Sequence, residues 1–431
     1  MKIAVLGYGK EGKAVGRYFS RRDDEIKIFD KFTLEELKGV DFSEYDMVFR
    51  SPSVHPRKEF TSVTRYFFEK CPAPIIGVTG TKGKGTTCSL ITAILQAIGK
   101  KVYLVGNIGK PAIDVLDDLT ANDVVVYEMS SFQLWDLERS PRVAVVLRIE
   151  ADHLNVHDGF DDYVEAKANI ARHQTTSDTL VYFKNNKWSV KVAEESSAHK
   201  LAYPLDDMSE KMRKLLDSLG VPGEHNKENA EAALLAVSGF LCLPVEDIVS
   251  DYYEEIAEAF KDFKGLPHHI EYVRTLNGVD YYDDSFSASY PSLDVAIKTF
   301  ADRPLVLIAG GKDRGLNLTM EKRAIFDAPN LVKVILIGET RQKLAEGEDA
   351  EKYLLSNSLE KAVVSARDVA ERLESDARQG RTLQDANGER HEASNGVGPV
   401  VLLSPGAASF DMFKDFYERG DKFKELVKEL K

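Results

Sequence analysis

Apolar positions along the chain fall into short unbroken runs separated by stretches with helical spacing. The first run, Lys2-Ile-Ala-Val-Leu6, ends in glycines and reads as a buried parallel strand. A helix is expected from about Lys13 to Arg21, then strands at Ile26–Phe29 and Met47–Phe49. Strands alternating with helices predict a parallel α/β sheet. The proline-containing stretch Cys71–Pro74 breaks this pattern, which restarts with Ile75–Val78, a glycine-rich loop and an apolar helix over Thr86–Ile98. Further strands are expected at Val124–Tyr127 and Val143–Leu147, helices dominate Asn226–Ala259, and Phe263–Pro267 marks a second boundary. The last third alternates again: Pro304–Ala309, Val332–Ile337, a helix near Leu359–Leu373, and Pro399–Leu403. The polar stretch Asp376–Gly398 loses all periodicity and is expected to be a mobile surface loop.

The expected fold is therefore α/β, in three consecutive domains over residues 1–71, 72–265 and 266–431, each a largely parallel sheet with flanking helices. A length of 431 residues agrees with three domains at about 150 residues each. No sequence repeat relates them. With 57 basic against 70 acidic side chains the formal net charge is −13, which argues against a nucleic-acid coat but not against small anionic ligands in local pockets. Three scattered cysteines suit neither a disulfide framework nor a zinc site. Glycines and charges interrupt the N-terminal apolar run, and no apolar run approaches 18 residues, so a cytoplasmic chain without a membrane partner is expected.

Gly77-Val-Thr-Gly80-Thr81-Lys82-Gly83-Lys84 fits the G-x-x-x-x-G-K part of a phosphate-binding loop, after a strand and before a helix. In that setting backbone N–H groups and a helix N-terminus point at phosphate oxygens, and Lys84 neutralises them. The usual hydroxyl after the lysine is displaced: Gly85 stands there, followed by Thr86 and Thr87, so Thr86 must supply the oxygen for magnesium. The competing reading is a glycine-rich turn. Gly7-Tyr-Gly9-Lys10-Glu11-Gly12 with Asp30 makes a second pattern, G-x-G-x-x-G plus an acid. About 70 residues precede the phosphate loop, too few for both halves of a dinucleotide fold, so a mononucleotide-sized anchor is expected rather than NAD.

Other candidates are ambiguous on the residues alone. Glu128 ends a strand beside the phosphate loop, where such folds hold hydrated Mg²⁺. Asp152 and His153 read equally as a capping acid and a surface histidine, and Lys167 as a solvated helix lysine. His153 and His157 lie four apart without the HExxH pattern of zinc proteases. Near the C-terminus, a strand, a turn and a helix whose Phe413, Phe416 and Phe423 pack would explain the aromatics.

The wording G-T-K-G-K-G-T-T resembles the nucleotide loop of the Mur ligase and folylpolyglutamate synthetase superfamily, whose second branch also carries Gly after the Lys. Gly106-Asn107-Ile-Gly109 resembles its GNIG turn, Glu128-Met-Ser130-Ser131-Phe-Gln133 its E-x-S-S-F-Q motif, and Asp152-His153 its DH pair. His225-Asn226-Lys-Glu-Asn229 resembles the HNxxN helix, Ser51-Pro-Ser53 the SPG/SPS turn, Asp283-Asp284-Ser285 the NDS motif, and Gly310–Gly315 the GGxxKG loop. Leu402-Leu-Ser404-Pro-Gly-Ala-Ala-Ser409-Phe410-Asp-Met-Phe413-Lys-Asp-Phe416-Tyr-Glu-Arg419-Gly420 resembles the LSPACASxDxFxxFxxRG ending of the D-glutamate-adding branch. The glycine-loop N-terminal domain, absent from folylpolyglutamate synthetases, points the same way.

The resemblance implies a Rossmann-like N-terminal domain for a UDP substrate, a central phosphate-loop ATPase domain, and a Rossmann-like C-terminal domain for an amino acid. It implies an ATP-dependent amide ligase that adds D-glutamate to UDP-N-acetylmuramoyl-L-alanine through an acyl phosphate, in peptidoglycan precursor synthesis, and acts as a monomer. Implied catalytic residues are Lys84, Glu128, His153 and Lys167; implied metal ligands, for two Mg²⁺ sites, are Thr86, Glu128, His153 and a carbamylated Lys167. ATP would be held by Gly80, Thr81, Lys82, Gly83, Lys84, Gly85, Thr86, Thr87, Asn226, Asn229 and Asp284. Gly9, Lys10, Glu11, Asp30, Ser51, Asn107, Ser130, Gln133, Arg314, Ser404, Ser409, Phe410 and Phe416 would hold the two other substrates. The chain departs from the family at Phe286 (Lys in the family), Ala288 (Thr), His269 (Arg), Arg148 (Asn) and Arg314 (Lys). These departures keep open a ligase of the same superfamily with a different amino acid. A nucleotide-binding switch that forms no bond would have no reason to keep Glu128, His153 and Lys167 together.

Overall fold

A computed structural model describes residues 1–30, 37, 39–153, 156–379, 383–384, 390–391 and 398–431. The chain divides into two compact units, Met1–Leu219 with His225–Phe263, and Gly220–Glu224 with Lys264–Lys431. The first unit contains two sheets. Strands β1 (Lys2–Leu6), β2 (Glu25–Phe29), β3 (Met47–Arg50) and β4 (Thr61–Ser62) pair in the order β2-β1-β3-β4, all parallel. Strands β5 (Ile75–Thr79), β6 (Val102–Gly106), β7 (Val124–Glu128), β8 (Val143–Val146), β9 (Thr179–Phe183) and β10 (His199–Tyr203) pair in the order β10-β9-β8-β5-β7-β6, again all parallel. Every residue of β5, β7 and β8 is buried, as a parallel sheet covered on both faces requires. The order reverses at β5, so the crevice where an open α/β sheet takes its ligand lies past the ends of β5, β7 and β8.

The second unit holds β11 (Glu271–Leu276), β12 (Val279–Asp283), β13 (Leu305–Ala309), β14 (Leu331–Leu336), β15 (Tyr353–Leu355) and, after a short antiparallel pair β16 (Leu383–Gln384) and β17 (Arg390–His391), β18 (Val400–Leu403). The large sheet runs β11-β12-β18-β13-β14-β15, and β11 alone is antiparallel to its neighbour. That hairpin turns at Asn277-Gly278, both with positive φ, a geometry that right-twisted strands favour. It adds an antiparallel edge to the parallel sheet expected here.

Helices begin earlier than apolar spacing alone indicates. Helix α1 covers Lys10–Ser20 and α2, after β5, Lys84–Ala97. Their first residues, Lys10-Glu11-Gly12 and Lys84-Gly85, carry no apolar signal. Helix α3 (Ser131–Leu134) follows β7, α4 (Phe160–Arg172) precedes β9, α5 spans Glu224–Leu241, and α6 (Leu359–Arg378) and α7 (Phe416–Glu429) pack on the second unit's sheet. The expected loop at 376–398 starts as the end of α6, and residues 380–382, 385–389 and 392–397 lie outside the described residues. No single helix is long and apolar enough to cross a membrane.

Candidate functional site

The candidate residues of the first sheet meet those of the second at the ends of their strands. Gly9 caps α1. Lys10 Nζ donates to the carbonyls of Asn107 (3.1 Å) and Gly109 (3.3 Å). Glu11 accepts from Gln133 Nε2 at 2.6 Å, and burial pushes its carboxyl pKa up. Gln133 in turn accepts from the N–H and hydroxyl of Ser130, while Ser130 Oγ caps α3. Asp30 accepts from the Tyr8 N–H (3.3 Å), and the Ser51 N–H donates to the Leu6 carbonyl (2.8 Å). Gly9, Lys10, Glu11, Asp30, Ser51, Asn107, Ser130 and Gln133 therefore share one neighbourhood.

The glycine-rich loop joins β5 to α2 and enters the helix through Gly83 in the left-handed region (φ +83°). A Cβ at Gly83 would stand 2.5 Å from Asn229 Oδ1. Asn229, on α5, accepts from Thr87 Oγ1, so the helix carrying Asn226 and Asn229 is fastened to the loop. Thr81 Oγ1 donates to the Glu150 carbonyl, and Lys82 is exposed. Lys84 Nζ folds back on the carbonyls of Gly80 (3.1 Å) and Thr81 (2.9 Å). Burial lowers its pKa, against the opposing fields of Glu128 and Asp152. Gly85 is buried and Thr86 half-buried, in the first turn of α2.

Glu128 ends β7, next to β5, and one carboxylate oxygen accepts from the Ile108 N–H (2.8 Å), while the other has no hydrogen bond among the described residues. Lys167 departs from the default of a solvated helix lysine. It is 1% exposed, and its Nζ donates to the Gly80 carbonyl (2.9 Å) and Thr79 Oγ1 (3.3 Å). Burial, helped by the field of Lys84, holds its pKa well below the ordinary lysine value. A depressed pKa raises the share of neutral, nucleophilic amine. His153 has φ +53°, its N–H is bonded to Asp152 Oδ1, and its ring stands edge-on to Phe132.

In the second unit Asp284 follows β12 and accepts from Ser404 Oγ (2.7 Å) and the Ile270 N–H. Burial raises its pKa to about 8. The Gly310 N–H donates to the Pro405 carbonyl and the Lys312 N–H to Ala408, which joins the loop carrying Arg314 to the turn carrying Ser404 and Ser409. Arg314 Nη2 donates to the Ala288 carbonyl (3.1 Å). Ser409 is buried and Phe410 is 69% exposed. Phe416 touches Phe286, His268 and Tyr417, and Phe286 stacks on His269 at 4.0 Å. Burial pushes the His269 pKa down to about 4.

The Mur ligase middle domain family matches residues 78–217, which contain the phosphate loop, Glu128, His153 and Lys167. Across its whole length the chain is 32% identical to the UDP-N-acetylmuramoylalanine–D-glutamate ligase of Clostridium tetani, over 473 residues covering 100% of this chain and 97% of the relative. A relative of the same name from Acetivibrio thermocellus is 33% identical over 481 residues, covering 100% and 96%. The chain belongs to the Mur ligase family. Solved structures of similar fold include UDP-N-acetylmuramate–alanine ligase from Thermotoga maritima (TM-score 0.58, 15% identity, 99% of each chain). Another is folylpolyglutamate synthase from Mycobacterium tuberculosis complexed with ADP (TM-score 0.57, 13% identity, 84% of this chain and 93% of that one).

This Mur ligase also uses Arg50, which the sequence reading passed over, and Arg419 of the C-terminal motif, to which it gave no role. Arg50, at the end of β3, is fully buried and pairs with Asp136 through Nη2 (2.5 Å) and Nε (3.0 Å). Its remaining donors reach the carbonyls of Val54 and Phe132. The pair thus ties the Ser51 turn of the first sheet to α3 of the second. Arg419 is buried against Ser285 and the Ala407 carbonyl, and burial lowers its pKa to about 10. Arg50 sits in what reads as an ordinary strand end, with nothing local to mark it as buried, and the motif that contains Arg419 says nothing of its burial.

Proposed function

We propose that this protein is an ATP-dependent ligase joining D-glutamate to UDP-N-acetylmuramoyl-L-alanine. The supporting observation is the grouping of Lys84, Glu128 and Lys167, with His153 on the neighbouring turn, around one phosphate loop. A site that only bound nucleotide would need the loop but not the other three. In the proposed division, residues 1–71 anchor the UDP substrate, 72–265 hold ATP, and 266–431 hold the amino acid.

The donor set fits a hydrated divalent cation: a hydroxyl from Thr86, a Glu128 oxygen, the His153 imidazole, and the buried Lys167 amine, whose lowered pKa favours addition of carbon dioxide to give an anion. Such an ion supplies charge neutralisation between ATP and the incoming carboxylate. The chain's own residues do the rest. Backbone N–H groups at the start of α2 orient the phosphates, and Lys84 exchanges its two carbonyl partners for γ-phosphate oxygens. The muramoyl-alanine carboxylate can then attack the γ-phosphorus, forming an acyl phosphate and ADP. The amino group of D-glutamate attacks the acyl carbon and phosphate leaves. Arg314 would hold a carboxylate of the amino acid, with Ser409, Phe410 and Phe416 around it, and Asp284 the ribose side of ATP.

In a coupled assay, phosphate release is expected only when both UDP-N-acetylmuramoyl-L-alanine and D-glutamate are present; release independent of either refutes the reading. Lys84→Ala is expected to lower kcat by about 100-fold or more while the protein still melts cooperatively. A second reading, a different incoming amino acid, is favoured by Phe286, Ala288 and Arg314. An amino-acid panel read by product mass separates the two.

A further inference from the structure

Three side chains outside the assigned set form a continuous hydrogen-bonded chain. Asp162 Oδ2 lies 2.7 Å from His157 Nδ1, and His157 Nε2 lies 2.9 Å from Ser131 Oγ. A carboxylate can only accept, so Nδ1 carries the imidazole proton, and in the neutral ring Nε2 accepts the Ser131 hydroxyl proton. His157 and Ser131 are buried. The ring is fixed on its sides as well, stacked on Phe132 (5.1 Å, 13°) and edge-on to Tyr163 (5.2 Å).

What matters is the element on which each member stands. Ser131 opens α3, three residues after Glu128. His157 follows His153 and its N–H donates to the His153 carbonyl (3.1 Å). Asp162 lies in the first turn of α4, five residues before Lys167, whose Nζ is bonded to the phosphate loop. One relay therefore touches each of the three segments that carry Glu128, His153 and Lys167. Phe132 adds a second tie, since its ring meets both His157 and His153.

We propose that Asp162, His157 and Ser131 are positioning residues that hold these three segments in register, and so set how tightly the Glu128–His153–Lys167 site takes a divalent cation together with ATP. This rests on the cation-binding reading of that site given above. Bonds of this kind to groups around a metal site are worth about 10- to 100-fold in metal affinity.

The test is Mn²⁺ binding to the full-length protein with a non-hydrolysable ATP analogue, followed by loss of the free-Mn²⁺ electron paramagnetic resonance signal. Asp162→Ala and Ser131→Ala are each expected to raise the half-saturating Mn²⁺ concentration about 10-fold or more. Asp162→Asn, which keeps an acceptor for His157, is expected to recover most of the affinity. Melting curves establish that each variant is folded, and Ser131→Ala, which deletes one hydroxyl, serves if Asp162→Ala does not fold. Unchanged Mn²⁺ binding in a folded Ser131→Ala protein overturns the proposal, as does an Asp162→Asn variant no better than Asp162→Ala. Glu128→Gln separates the two levels. If it weakens Mn²⁺ binding while the relay variants do not, the relay fails; if it too has no effect, the cation reading fails with it.

Discussion

Removing Asp136 isolates what a buried charge costs in this fold. Arg50 keeps almost no contact with solvent, and two of its nitrogens engage the Asp136 carboxylate, which also accepts from Ser62 Oγ (3.2 Å). In Asp136→Ala the guanidinium would keep its bonds to the Val54 and Phe132 carbonyls but lose its countercharge. Stranding one member of such a pair costs about 3–5 kcal/mol. For a large unit each kcal/mol moves Tm by about 2–4 °C, so a fall of the order of 10 °C is expected by calorimetry. Replacing both partners, Arg50→Met with Asp136→Leu, strands no charge and should cost far less than Asp136→Ala alone. The loss in the single variant should also persist at about 1 M salt, because a desolvated pair is poorly screened. A cost below about 1 kcal/mol, the range of exposed pairs, refutes this account. So would a double variant as unstable as the single one.

Two further outcomes follow from local geometry. Glu231, buried on α5 and accepting from the Leu205 N–H, has its pKa raised to about 7 by burial. Its folded-state value lies above the ordinary carboxylate value, so the stability it contributes is complete below about pH 4.5 and is lost as pH rises through 7. Glu231→Gln should flatten that part of a urea-midpoint profile, and an unchanged slope contradicts the assignment. At Gly420 a Cβ would stand 2.1 Å from His268 Nδ1 and 2.7 Å from Asp283 Oδ2, two buried groups bonded to each other at 2.7 Å. Gly420→Ala should destabilise the second unit by at least about 1–3 kcal/mol; an unaltered denaturation curve would show that the pair yields freely.

Strands β1, β3, β5, β7, β8, β13 and β18 were legible because burial leaves apolar runs, whereas the two-residue polar strand β4 carried no such signal. The phosphate loop was legible because a glycine turn between strand and helix is a local pattern. Other features were harder to see. Strands β9 and β10 lie toward one side of their sheet, and His199-Lys200 starts β10 with exposed polar residues. The β11–β12 hairpin did carry a local signal, Asn277-Gly278 between two strand-like runs, which the search for parallel units passed over. Lys167 could be named only by resemblance, because nothing around it in the chain tells a buried lysine from a solvated one. The partnership of Ser131, His157 and Asp162 is set by tertiary contact across 26 and 5 residues. No spacing rule generates it.

The contact between His269 and Phe286 couples what can stand at the two positions. The imidazole and the phenyl ring lie face to face at 4.0 Å. The two side chains therefore form one packed unit, and the effect of replacing one depends on the other. His269→Arg places a planar cation over an aromatic face, which attracts it. Phe286→Lys would instead remove the stacking surface and leave an ammonium beside a ring with no compensating charge. His269→Arg should therefore be the better tolerated of the two single changes.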